Sequence, residues 1–149
     1  MPATKNILIT GMSGLIGGIV GKHLDSLGHT ITALNRQAVE GYKTPQASIT
    51  DFYAIRPAFD GIDTVIHLAA YLGPDDQAQL YINIEGTYNV FKAAGEAGVK
   101  RVIFGSSGAT LMASENYEPY KSFREGRMDD LPTLRPVMMH TDPPHPERM

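Results

Sequence analysis

The chain has 149 residues, enough for one domain with a real core. Apolar residues make up 42% and charged residues 19%, the balance of ordinary globular material, and a net charge of −3 with no basic block argues against nucleic acid as a partner. The absence of cysteine excludes disulfides, Cys-ligated metals and thiol nucleophiles.

Residues 6–10 (NILIT) form a short β-branched run that ends on glycine, the mark of a buried strand. A glycine-rich turn follows from Gly11, and Ile19, Val20, Leu24 and Leu27 then recur at helical spacing until Gly28 ends the helix. Residues 29–34 (HTITAL) read as a second strand, and 47–49 as a shorter third one. Residues 52–59 suit a helix capped by Asp51 and disturbed by Pro57. Residues 63–68 (DTVIHL) are a strong strand. From about Asp76 to Ala97 the apolar positions Leu80, Ile84, Tyr88, Phe91 and Ala94 keep a helical period that Gly98 closes. Residues 101–104 (RVIF) are the fifth and last clear strand.

Alternating strands and helices with near-continuous apolar strands predict an α/β fold, a doubly wound parallel sheet of the Rossmann type with strand order 3-2-1-4-5, truncated after about the fifth strand. The predicted core is 1–110. Residues 111–149 hold six prolines and five methionines without a sustained period, and read as an irregular tail. No apolar stretch approaches the roughly 18 residues that span a membrane. The start MPATKNILIT has no secretory cleavage pattern, so a cytoplasmic protein with no membrane partner is expected.

Gly11, Gly14 and Gly17 sit between the first strand and the first helix, with Ser13, Leu15 and Ile16 among them. Gly11 permits a tight turn, Gly14 lets backbone approach a pyrophosphate, and Gly17 lets the helix pack closely on the sheet. The helix N-terminus offers free N–H groups and partial positive charge to phosphates. The G-x-x-G-x-x-G spacing resembles that of the short-chain dehydrogenase/reductase superfamily, in its extended branch, the NAD-dependent epimerase/dehydratase family. The segments ASITD (47–51), DTVIHLAA (63–70), NIEGTYNVFKAAGEAGVKRVIF (83–104) and GSSGAT (105–110) carry the same resemblance.

The resemblance implies a nicotinamide dinucleotide cofactor. The second strand should end beside the adenosine ribose, where an acidic residue accepts from the 2′-OH and repels a 2′-phosphate. Here Asn35 is neutral, and Arg36 can bond a 2′-phosphate. This favours NADP, with NAD the alternative if Arg36 is only a solvated side chain. Asp51 matches an aspartate near the adenine, or is a plain helix cap. Leu68, Ala69 and Ala70 would line the middle of the cofactor. Asn83 matches an asparagine that organises backbone or water, and Ser106 lies beside the site. His67, alone in an apolar strand, is read as structural.

The family's chemistry implies a Tyr and a Lys four residues later, helped by a Ser. The cationic Lys lowers the Tyr pKa, so the phenol can transfer a proton while hydride moves. By resemblance Ser107 is the Ser. A Tyr-x-x-x-Lys string occurs at Tyr117 and Lys121, but Pro119 lies between them and works against one helix carrying both. The closing HTDPPHPERM resembles instead the approach to Tyr-Gly-x-x-Lys in relatives.

The expectation is therefore a fragment of an NAD(P)-dependent oxidoreductase or sugar-nucleotide epimerase/dehydratase. It would bind dinucleotide without efficient turnover and be prone to self-association. Its substrate would be a sugar, a sugar nucleotide or another carbonyl compound. The alternative is a non-catalytic NAD(P)-binding sensor or pseudoenzyme.

Overall fold

A computed structural model describes residues 3–107 of the chain. The chain divides into two compact units, 1–105 and 106–149, and the fold below is that of the first. The segment 111–149, with Tyr117 and Lys121, lies outside the described residues.

Strand β1 (Asn6–Thr10) leads into helix α1 (Leu15–Ser26), and β2 (Thr30–Leu34) follows. Helix α2 (Phe52–Ile55) tightens into a 3₁₀ turn over Arg56–Phe59, where Pro57 removes a donor and helical geometry narrows. Strand β3 (Thr64–His67) comes next. A long helical run then passes through α3 (Asp76–Leu80), a π-turn (Tyr81–Glu85) and α4 (Gly86–Glu96), and β4 (Arg101–Phe104) closes the unit.

All pairings are parallel and the sheet order is β2-β1-β3-β4. The run RVIF is thus the fourth strand, not the fifth, because the expected strand at 47–49 does not form. Residues 43–46 occupy its place, making two isolated parallel bridges along the outer edge of β2, Thr32 with Lys43 and Asn35 with Gln46. The Ala33 N–H reaches the Lys43 carbonyl at 2.9 Å and the Asn35 N–H the Pro45 carbonyl at 3.3 Å. A continuous ladder would next need the N–H of residue 45, which proline lacks. With that segment in third place, the expected spatial order holds.

Side chains of β1 alternate between two layers. Leu8 joins Leu34, Ile55, Phe59, Val65 and Val90 on one face, while Ile7 and Ile9 join Met12, Ile31 and Ile66 on the other. Each such side chain, once fully buried, contributes roughly 1.5–3 kcal/mol. Of the helical stripe Leu80, Ile84, Tyr88, Phe91 and Ala94, only Ala94 is buried and the other four are exposed. The π-turn inserts an extra residue per turn and shifts the face, so α4 meets the sheet through Asn89, Val90, Ala93 and Ala94. No helix among the described residues is long and apolar enough to cross a membrane.

Candidate functional site

The carboxyl ends of β1, β3 and β4 converge on one edge of the sheet, and the glycine turn rises there. Gly11 has φ +72°, a conformation that side chains disfavour. A Cβ on it would lie 2.7 Å from the Ala69 nitrogen and 2.9 Å from the Leu68 carbonyl carbon. Two backbones therefore touch where Gly11 passes the chain leaving β3.

Gly17 meets the same limit from the helix side. Its Cβ would run into the Gly11 carbonyl oxygen and lie 2.7 Å from Met12 Cα. Gly14 is different: exposed, with only the Gly11 oxygen nearby at 3.3 Å, it faces open space. The tight turn at Gly11 and the close packing at Gly17 are thus as their spacing implied.

The Gly14 N–H closes the turn on the Gly11 carbonyl at 3.0 Å, and the first helical bond runs from Gly18 N–H to the Gly14 carbonyl at 2.9 Å. No side chain caps α1. The N–H groups of Leu15, Ile16 and Gly17 lie in the first turn, where a helix has no acceptor of its own to offer them. Ser13, Leu15 and Ile16 are exposed around them.

Asn35 is buried at the end of β2, and its Oδ1 accepts the Met12 N–H at 2.9 Å. Its side-chain oxygen therefore anchors the glycine turn. Arg36 follows it, exposed and without an ion pair among the described residues. Asp51 caps α2, its Oδ1 accepting from Ala54 N–H at 3.0 Å.

Leu68 and Ala69 are half-buried and Ala70 is exposed, forming the wall opposite the glycine turn. Asn83, on the π-turn, holds the next residue of that wall with both ends of its amide. Its Oδ1 accepts from Tyr71 N–H at 2.7 Å, and its Nδ2 donates to the Tyr71 carbonyl at 2.9 Å. Ser106 and Ser107, the first residues beyond Gly105, are exposed.

Sequence reasoning left a buried polar cluster unassigned. Thr10 Oγ1 lies 2.6 Å from His67 Nδ1, and His67 Nε2 lies 3.0 Å from Thr87 Oγ1 on α4. Thr10 Oγ1 also accepts from the Leu68 and Ala69 N–H groups at 3.2 and 3.1 Å. The imidazole is stacked on Phe104, 5.4 Å between centroids. Burial lowers its pKa from 6.5 to about 4, so it is neutral near pH 7. Met12 was missed as well. Its side chain fills the notch that Gly21 leaves in α1, which seats the turn on the helix.

The model of the NAD-dependent epimerase/dehydratase family matches residues 7–136. The chain belongs to that family. It is 31% identical over 143 residues to an L-arabinose 1-dehydrogenase (NAD(P)(+)) of Haloferax volcanii, covering 95% of this chain and 54% of that relative. The chain thus spans about half the length of that curated relative.

Among solved structures it resembles a short-chain dehydrogenase/reductase superfamily protein of Agrobacterium tumefaciens with bound NAD. The TM-score is 0.67 at 31% identity, over 71% of this chain and 34% of that one. It also resembles the Bordetella bronchiseptica enzyme WbmG in complex with NAD. There the TM-score is 0.66 at 32% identity, over 74% of this chain and 40% of that one. The Rossmann sheet and its glycine turn are thus those of the epimerase/dehydratase family.

Proposed function

We propose that the protein binds a nicotinamide dinucleotide, with NADP preferred over NAD, as part of an oxidoreductase or epimerase acting on a sugar or related carbonyl compound. The observation that carries this reading is the Gly11–Gly17 turn. It places an uncapped helix N-terminus at the carboxyl edge of a parallel sheet, where Rossmann sheets take the pyrophosphate. The relative named as an NAD(P)(+)-dependent arabinose dehydrogenase supports both the cofactor and the substrate class.

NADP preference rests on two residues. Asn35 places no carboxylate at the end of β2, and Arg36 beside it is an exposed cation with no ion pair among the described residues. A 2′-phosphate would gain a charge-assisted bond and meet no like charge. Leu68, Ala69 and Ala70 would face the middle of the dinucleotide, and Asp51 its adenine. The bound nicotinamide would supply or accept hydride. Ser107 would then polarise the substrate oxygen, while the Tyr/Lys pair that moves the proton in the family is offered here by Tyr117 and Lys121, with Pro119 between them, so efficient turnover by this chain is not expected. The apolar edge residues Ile103 and Phe104 on β4 are half exposed, which supports self-association, readable by sedimentation.

The test is thermal denaturation with NADPH and NADH. Ligand at 100 times its dissociation constant should stabilise the chain by about 2.7 kcal/mol. Arg36→Ala should lose the preference for NADPH while keeping NADH binding. No shift with either dinucleotide would refute the reading, and an unchanged preference in Arg36→Ala would refute the NADP assignment.

A further inference from the structure

The Thr10–His67–Thr87 cluster, buried at Thr10 and His67 and half-buried at Thr87, favours one proton arrangement. A hydroxyl oxygen has two lone pairs and one hydrogen. Thr10 Oγ1 accepts the Ala69 N–H at 3.1 Å and shares the Leu68 N–H, at 3.2 Å, with the Thr10 backbone carbonyl, also at 3.2 Å. With its lone pairs turned to these N–H groups, its hydrogen is directed to His67 Nδ1 at 2.6 Å, the tautomer in which Nδ1 is unprotonated. The ring proton sits on Nε2 and is donated to Thr87 Oγ1 at 3.0 Å. Each member fixes the next.

The consequence falls on the wall of the cleft. Gly11 already has no space to approach Ala69 more closely. The Thr10 hydroxyl limits how far that wall can move away at Ala69, whose N–H it holds, while the Leu68 N–H is also held by the Thr10 backbone carbonyl. Without an acceptor at Nδ1, the Thr10 hydrogen would turn elsewhere. The lone pairs would turn with it, releasing Ala69.

We propose that His67 is a positioning residue of the dinucleotide site, fixing the Thr10 hydroxyl and tying the 68–69 wall to α4 through Thr87. This rests on the dinucleotide reading above, and goes beyond it in assigning a role to a histidine that touches no ligand. The network spans β1, β3 and α4, so a disturbance on the helix reaches the cleft through three side chains.

Nuclear magnetic resonance on the full chain tests the lock without ligand. At pH 7 the His67 ring nitrogens should show Nε2 protonated and Nδ1 bare. His67→Phe keeps the ring and its stacking on Phe104, and Thr87→Val removes only the far hydroxyl. In both, the Ala69 amide should exchange about tenfold faster, the scale of one lost hydrogen bond, and NADPH affinity should fall by a similar factor. Thr87→Ser should restore both. If His67→Phe does not fold, the Thr87 pair carries the test.

Unchanged Ala69 exchange in a folded variant would overturn the lock. Faster exchange with wild-type NADPH affinity would overturn the positioning role. A wild-type chain that shows the tautomer but binds neither NADPH nor NADH would overturn the dinucleotide reading and this role together, while leaving the network itself demonstrated.

Discussion

Acid should weaken this protein through His67 in a defined window. The imidazole is fully buried, and its pKa is lowered from 6.5 to about 4 by loss of solvent. In the unfolded chain it returns to the ordinary range. Between the two values the unfolded chain binds more protons than the folded one, so stability rises with pH. The contribution is fully present above 6.5, is lost as pH falls toward about 4, and levels off below. At about 1.4 kcal/mol per pH unit, the loss between pH 7.5 and 4.5 comes to ~2.5 kcal/mol. Against a total stability of roughly 5–15 kcal/mol, that is a large fraction. Urea midpoints for wild type and His67→Phe across this range measure it. Carboxylates titrate in both proteins and cancel in the difference. Phe costs a constant amount at every pH, because the His67 partner it removes from the Thr10 and Thr87 hydroxyls is replaced by a ring that does not titrate. The stability gap between the two proteins should therefore shrink by ~2.5 kcal/mol on acidification. A gap that stays constant would refute the claim that His67 is held neutral by burial.

The two neighbouring glycines of α1 should respond oppositely to alanine. Gly17→Ala would push into the Gly11 oxygen and Met12 Cα, costing about 1–3 kcal/mol and most dinucleotide affinity. Gly18→Ala meets only the Met12 oxygen at 3.5 Å and should stabilise the helix by about 0.5–1 kcal/mol in thermal melts. Asn35→Asp keeps an acceptor for the Met12 N–H but adds a charge beside the ribose, so the ratio of NADPH to NADH affinity should drop below that of wild type. Asp51→Ala removes a helix cap worth about 1 kcal/mol. If Asp51 also meets the adenine, dinucleotide affinity falls beyond what the melting shift explains; equal affinity leaves it a cap alone.

What the sequence made legible, and what it did not, follows from the range over which each signal acts. The glycine turn is local. Three glycines between a β-branched strand and a helix specify a backbone path that few other arrangements satisfy, and Gly11, Gly14 and Gly17 each stand where that path needs them. Gly28, at φ +85°, ends α1 by the same kind of local rule. The third strand was misplaced because Ala47–Ile49 has the stronger β-composition, whereas pairing is decided by which residues reach the free edge of β2. That edge takes Lys43 and Gln46, and Pro45 keeps the pairing from becoming a ladder. Asn35 was found by position, but its contact with the glycine turn was not. Its amide oxygen accepts from Met12, 23 positions away. His67 is the extreme case. A histidine inside an apolar strand announces that it needs two polar partners, since an unpaired buried nitrogen is costly. It does not announce which, and the answers lie 57 residues before it and 20 after. Only the parallel pairing of β1 with β3, Thr10 beside His67, makes the first partner inevitable. The chemistry nearest the cleft is thus partly written by sheet register, and a single-sequence reading reaches it only once that register is known.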